Sequence, residues 1–198
     1  MNYLAHAYLS FNRPGILAGN MISDFVKGKK KFDYPPYVQH GIQLHRFIDS
    51  FTDDHEATRQ AKKVFKPFVG LYAGAFVDVA YDHFLANDEQ EFSAESLAAF
   101  AAYTYNILDS FQNILPEKFT LMFPYMRRQN WLYNYRTVEG IKNSFVGVVR
   151  RAAYLNSSAD VFDAFLNHYY ALQYYYTQFF PQLKAFANET LEKLTAGS

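Results

Sequence analysis

Apolar residues recur at three- and four-residue spacing along almost the whole chain, the mark of helices with one buried face. A first helix is expected from about Pro14 to Val26, with Pro near its start and Gly28 past its end. A basic loop from Lys27 to Lys31 follows, and Tyr34-Pro-Pro opens a second helix reaching about Phe51. Asp53 or Asp54 can cap a short third helix near Glu56 to Val64, and after Pro67 a fourth runs to about Leu85. Ser93 caps a fifth from Ala94 to about Ile114, and shorter helices are expected over Pro116–Met126 and Thr137–Arg151. Ser157 with Asp160 reads as a capping box for the last helical stretch. That stretch carries Phe162, Phe165, Leu166, Tyr169, Leu172, Tyr176 and Phe180 at helical spacing, and Pro181 must kink or end it. No run alternates apolar and polar residues between turn signals, so strands are not expected. The expected fold is all-α, one helical-bundle domain over residues 1–198, undivided by repeats or Gly/Ser linkers.

Composition removes several function classes. Half of the 198 residues are apolar and 19 % are aromatic, which excludes disorder and leaves enough core to stand without a disulfide. With no Cys, thiolate metal sites and thiol nucleophiles are excluded. Nineteen Lys and Arg balance nineteen Asp and Glu, which argues against a general nucleic-acid binder. Met1-Asn-Tyr-Leu-Ala-His6 lacks a basic leader, and no run nears the roughly 18 apolar residues of a membrane span. The expectation is a soluble, cytoplasmic domain, with the Asn-x-Ser/Thr matches at Asn156 and Asn188 arising by chance. Its oligomeric state is not set by the sequence.

The charge is unevenly spread. Segment 1–31 has five basic residues to one acid, segment 126–151 has six to one, and segment 78–95 has six acids and no Lys or Arg.

The acids and histidines lie in helical register. His45 and Asp49, four apart, project about 40° from each other on one helix face. Asp78 and Asp82 repeat that spacing on a helix otherwise apolar nearly all round, and Asp24 sits near the end of the first helix. Two buried carboxylates one turn apart repel unless a cation or protons neutralise them. A divalent metal held by facing helices is the economical solution. Without thiolates the donors are imidazole and carboxylate, which suit Mn²⁺, Mg²⁺, Fe²⁺ or catalytic Zn²⁺. Such a site, with one position open, activates water for hydrolysis. Arg46 and the Lys27–Lys31 loop could hold an anionic phosphate, although a solvated loop explains the lysines as well. His6 reads first as a core histidine with a ligand role open, His40 and His55 as surface residues, and His168 as part of an aromatic packing stripe. Trp131-Leu-Tyr-Asn-Tyr135-Arg136 fits a contact surface or packing equally. No P-loop, GxGxxG, GxSxG or HExxH is present.

These blocks also match a family pattern. Met1-Asn-Tyr-Leu-Ala-His6, Gly19-Asn20-Met-Ile-Ser-Asp24-Phe-Val, His45-Arg-Phe-Ile-Asp49-Ser-Phe-Thr52-Asp53 and Asp78-Val-Ala-Tyr-Asp82-His83-Phe-Leu occur in that order. With Trp131-Leu-x-x-Tyr135, they resemble the acyl carrier protein phosphodiesterases across essentially the whole chain. The resemblance implies an HD-like fold, a divalent metal with Mn²⁺ favoured, and a link to fatty acid biosynthesis. It implies hydrolysis of holo-acyl carrier protein, releasing 4′-phosphopantetheine from a serine. On the matched positions Asp24, His45, Asp49, Asp78 and Asp82 are expected to hold metal. His83 is then the expected acid for the leaving serine, Arg46 steadies the phosphate charge, and Asp24 shares the acid/base role. Two positions depart from pattern: Asp82-His83 reverses the His-Asp order of HD enzymes, and Tyr81 stands where the family often has Trp. The expected partner is acidic, so the basic segments would steer it, with neither nucleic acid nor membrane as a target. The alternatives are a hydrolase of a nucleotide or other small phosphate ester, a non-catalytic helical binding module, and a regulator that binds an acyl carrier protein uncleaved.

Overall fold

The helical pattern resolves into eleven α-helices with short 3-10 turns between them, in a computed structural model that describes residues 1–155 and 157–196. The sequon residue Asn156 lies outside the described residues. In chain order the helices are α1 (Tyr3–Tyr8), α2 (Pro14–Ile22), α3 (Pro36–Asp54), α4 (Glu56–Val69), α5 (Ala73–Ala86) and α6 (Ala94–Ser110). They continue as α7 (Glu117–Arg128), α8 (Trp131–Asn134), α9 (Val138–Arg151), α10 (Ala159–Asn167) and α11 (Tyr169–Thr195). No strand occurs among the described residues, and the all-α expectation holds. Buried apolar side chains from Met1 to Leu191 form one contiguous core.

Several boundaries differ from the sequence reading. The first helix stops at Ile22, so Asp24 rides on a 3-10 turn, Ser23–Phe25, and α1 is an additional helix before it. The lysines also sit on a 3-10 turn, Gly28–Asp33. Pro67 is accommodated in the last turn of α4, and the break falls at Gly70, whose φ of +54° suits glycine. The expected box at Ser157 and Asp160 does not form, since Ser158 is the N-cap and Ser157 Oγ accepts from the Ala159 N–H. Pro181 does not end α11. It removes one hydrogen bond, to the Thr177 carbonyl, but Tyr176, Phe179, Phe180, Leu183 and Ala187 are buried on both sides of it and hold the helix together.

The run Glu56–Ala86 contains an 18-residue window with a mean hydropathy of 1.2, and by length it could cross a membrane. Gly70 divides it, however, and its halves α4 and α5 pack against each other. α5 is central, touching α1, α4, α9 and α11, and only its Asp78 face and one end reach the surface.

The most extensive helix pair is α2 with α3. Gly19 and Gly41 let their backbones meet. A Cβ added at Gly19 would lie 2.1 Å from the Val38 carbonyl oxygen, and one at Gly41 would lie 2.2 Å from that of Ile16. This approach brings the Asn20 carbonyl to 2.8 Å from His45 Nδ1. Gly41→Ala should force the helices apart, costing about 1–3 kcal/mol, and lower the Tm. An unchanged Tm in a thermal melt would contradict so close a crossing.

Candidate active site

Two helices and one turn meet at His6 (α1), His45 and Asp49 (α3), and Asp24. His45 and Asp49 are neighbours as their spacing requires, with His45 Nε2 3.1 Å from Asp49 Oδ2. Asp24 Oδ1 approaches the same nitrogen at 3.2 Å from the exposed side. His6 completes the group. Its ring stacks on that of His45 with centroids 3.8 Å apart, and its Nε2 lies 3.2 Å from Asp49 Oδ1. Both imidazoles are buried, whereas 41 % of the Asp49 side chain is exposed. The cluster is therefore a dry wall with one open side.

Asn20 fixes which nitrogen each ring presents. Its Nδ2 donates to the His6 carbonyl at 2.8 Å and to Ser10 Oγ at 3.1 Å, so its Oδ1 must face His6 Nδ1, 2.8 Å away. An amide oxygen only accepts, so His6 Nδ1 carries the proton. The Asn20 carbonyl imposes the same state on His45 Nδ1. Both Nε2 atoms then turn to the carboxylates.

The charges follow from this wiring. Burial, with His45 adding to it, pushes His6 down to about 4, so the ring is neutral with a lone pair on Nε2. That atom makes no hydrogen bond, although it is buried. Burial also lowers His45, but hydrogen bonds to Asp24 and Asp49 outweigh it and raise the ring to about 9. Burial raises Asp49, and His45 and His6 more than reverse this, holding it far below the usual carboxylate range. Asp24 is lowered chiefly by its bond to His45.

A cation fits this donor set. The ligand atoms of His6, His45 and Asp49 all lie within 4.8 Å of one another. Ligands at about 2.0–2.2 Å from one ion are themselves about 3–3.5 Å apart. The contacts at 3.1 and 3.2 Å match that spacing, and the orphaned His6 Nε2 has an unused lone pair. An imidazole that donates its other N–H to the protein is the usual state of a metal-ligating histidine.

The remaining expected residues are placed elsewhere or at one remove. Asp78 Oδ1 accepts from the Met1 amino group at 2.9 Å, and that amino group also lies 3.7 Å from Asp49 Oδ1. Burial disfavours its charge, but Asp78 and Asp49 raise the amine to about 10. Asp82 does not join the cluster, because its fully buried carboxylate is occupied by the start of α1. Oδ2 accepts from the Leu4 N–H at 2.7 Å, and Oδ1 from Ala5 at 3.2 Å and Asn2 at 3.3 Å. N–H groups and an ammonium thus partner the two acids on α5, but burial outweighs them and raises both, Asp82 to about 7.

His83, one residue on, points away from the cluster. Burial lowers its pKa, so the neutral ring donates from Nδ1 to the Tyr135 carbonyl at 2.7 Å and accepts at Nε2 from the Tyr169 hydroxyl at 2.9 Å. Arg46 is exposed and donates to the Val26 carbonyl beside the Asp24 turn. Tyr81 is buried and stacks on Phe179. From sequence His6 reads first as a core histidine because its N-terminal segment is apolar. The usable signal was a pair of polar residues, His6 and Asn20, in segments otherwise built for burial.

Two variants separate these roles. Asn20→Ala should weaken divalent-metal binding about 10–100-fold, measured by calorimetry, because neither side-chain acceptor nor donor then holds the His6 segment. Asp82→Asn should lower the Tm of chelator-treated protein, since an amide NH₂ would face main-chain N–H groups in the core. A metal ligand would show no such loss without metal.

The family model described as acyl carrier protein phosphodiesterase matches residues 1–183. A protein of Salmonella dublin named acyl carrier protein phosphodiesterase is 33 % identical over 186 residues, covering 93 % of this chain and 96 % of its own. Proteins of that name from Salmonella paratyphi A and Salmonella agona are 32 % identical with the same coverage. No solved structure matches the chain. The order of blocks, the length of the match and the shared name agree, and the chain belongs to the acyl carrier protein phosphodiesterase family.

Proposed function

We propose that this chain is a metal-dependent phosphodiester hydrolase that releases 4′-phosphopantetheine from the serine of a holo-acyl carrier protein. The observation that carries the metal reading is the convergence of two imidazole Nε2 atoms on Asp49, one of them buried with no hydrogen bond. His6, His45 and Asp49 are the proposed ligands, with Asp24 beside them. Two nitrogens in the set favour Mn²⁺, Fe²⁺ or Zn²⁺ over Mg²⁺, which prefers oxygen. A divalent ion bound there supplies Lewis acidity and makes a water molecule more acidic.

The chain's own residues orient and move protons. Asn20 holds both rings so that their Nε2 atoms face the open side. Asp24 stands at the exposed side of the cluster, and its second oxygen has no hydrogen bond among the described residues, so it can accept a proton from the attacking water. Arg46 retains free N–H groups for the non-bridging phosphate oxygens. His83 remains a test case for the leaving serine, with its partners Tyr135 and Tyr169 speaking for a structural role.

The Lys29–Lys31 turn follows Asp24 closely in the chain and is the better candidate to steer an acidic protein. Arg127, by contrast, is paired with Asp109, and Arg128 lies over the Tyr125 ring. The proposed acyl carrier protein partner supports a cytoplasmic location.

A mass spectrum of holo-carrier protein incubated with the enzyme and Mn²⁺ should show loss of phosphopantetheine, and chelation should abolish it. His6→Ala and His45→Ala should each lose bound metal. Full activity after verified metal removal, or wild-type stoichiometry in both variants, would overturn the metal site. His83→Gln should lose far less than the about 10²–10⁴-fold that removing a general acid costs. A loss in that range with metal retained would reinstate it.

Reversing Lys29, Lys30 and Lys31 to Glu should raise KM for holo-carrier protein with little change in kcat, and added salt should narrow the difference. A small pantetheine phosphodiester should be turned over almost equally by both forms. If the two substrates respond alike, the small-phosphodiester alternative gains.

A further inference from the structure

Next to the cluster is a cavity of about 370 Å³, walled by the N-terminal segment, α8 and α9. Its size falls in the roughly 300–1,000 Å³ range of small-ligand sites. The main chain joins the two places. The Met1 amino group lies 3.7 Å from Asp49 Oδ1, and the next two residues, Asn2 and Tyr3, line the cavity. The Tyr3 phenol also feels the charges of Asp24, at the cluster, and Arg151, on the cavity rim.

The lining describes an occupant. α9 buries Ile141, Phe145 and Val148 in the core, and it turns Asn143, Gly147 and Arg150 toward the cavity. Gly140 is explained by packing, since a Cβ there would strike the Asn134 carbonyl oxygen at 1.9 Å. Gly147 is not. Its backbone is ordinary helix, and an added Cβ would meet nothing within 4 Å. A mid-helix glycine weakens a helix relative to alanine, no packing contact requires this one, and the space in front of it is open. Across that space stand the Trp131 and Tyr3 rings, with centroids 6.3 Å apart, and the Asn134 side chain. Arg150 and Arg151 form no ion pair with any acid among the described residues, unlike Arg127 with Asp109. Aromatic walls, amide side chains and a cationic end suit a chain of alkyl and amide groups that ends in a phosphate.

We infer that this cavity receives the phosphopantetheine arm of the substrate, with its amides against Asn134 and Asn143, its alkyl parts along Trp131 and Tyr3, and its phosphate toward Arg151. The inference rests on the phosphodiesterase reading and adds the subsite that recognises the leaving arm.

Trp131 is the chain's single tryptophan, so its emission reports occupancy directly. Chelator-treated protein titrated with 4′-phosphopantetheine should show a saturable change, with pantetheine binding about tenfold or more weakly. Gly147→Leu should fill the space, melt no lower than wild type, abolish the response and raise KM for holo-carrier protein about tenfold or more. Arg150→Ala with Arg151→Ala, on the exposed rim, should bring the two probes to similar affinity. That pair keeps the test available if Gly147→Leu fails to fold. Unchanged Trp131 emission with both probes, or a double variant that still separates them, overturns the assignment. So does a folded Gly147→Leu variant that cleaves holo-carrier protein like wild type, and this leaves the phosphodiesterase reading standing. A wild type that binds 4′-phosphopantetheine but leaves holo-carrier protein intact overturns that reading and supports the cavity.

Discussion

Asn20 accepts one imidazole N–H through its side chain and another through its main chain, and so determines which nitrogen each ring shows to the carboxylates. The side-chain bond ties α2 to α1, and the main-chain bond ties α2 to α3. The main-chain bond depends on the glycine-to-glycine crossing of α2 and α3, because a larger residue at Gly19 or Gly41 would lift the Asn20 carbonyl off His45. A packing constraint between two backbones therefore decides which nitrogen of His45 carries a proton toward the main chain. The stacked rings, 3.8 Å apart, would repel if both were charged, and the arrangement resolves this by keeping His6 neutral and giving the proton to His45.

The carboxylates of α5 solve a different problem. Asp82 is completely buried, and a bare buried charge would cost several kcal/mol. Three main-chain N–H groups at the start of α1 provide its partners, and α1 is too short to be stable alone. The acid and the helix stabilise each other. The consequence reaches the cluster, since His6 lies on α1 and its position depends on the anchor that Asp82 supplies. Asp82 acts on the site through placement, one helix away from the open face.

This explains how much was legible in the chain. Helical spacing located most elements, and the His45–Asp49 pair followed directly from a four-residue interval, because those relations are local. For the two acids on α5 the sequence suggests a shared divalent metal, whereas the structure supplies main-chain N–H groups and an amino group. Their partners could not be read, because N–H groups of a remote helix and an amino group carry no side-chain signature. The same reason hid His6, whose neighbours come from α2 and α3. At Pro181 the local rule predicted a kink or an end, and burial of Phe179, Phe180 and Leu183 outweighed one lost hydrogen bond.

The N-terminal segment links these features. Met1 reaches Asp78 and Asp49, Asn2 donates to the Tyr135 hydroxyl, Tyr3 lines the cavity, and His6 enters the cluster. Tyr135 in turn gives its carbonyl to His83, so the segment is tied through α8 to the far side of α5. One member of the cluster, His6, and one wall of the cavity, Asn2 and Tyr3, thus belong to one short stretch anchored at Asp82. A shift of that stretch would move the cluster and the cavity wall together.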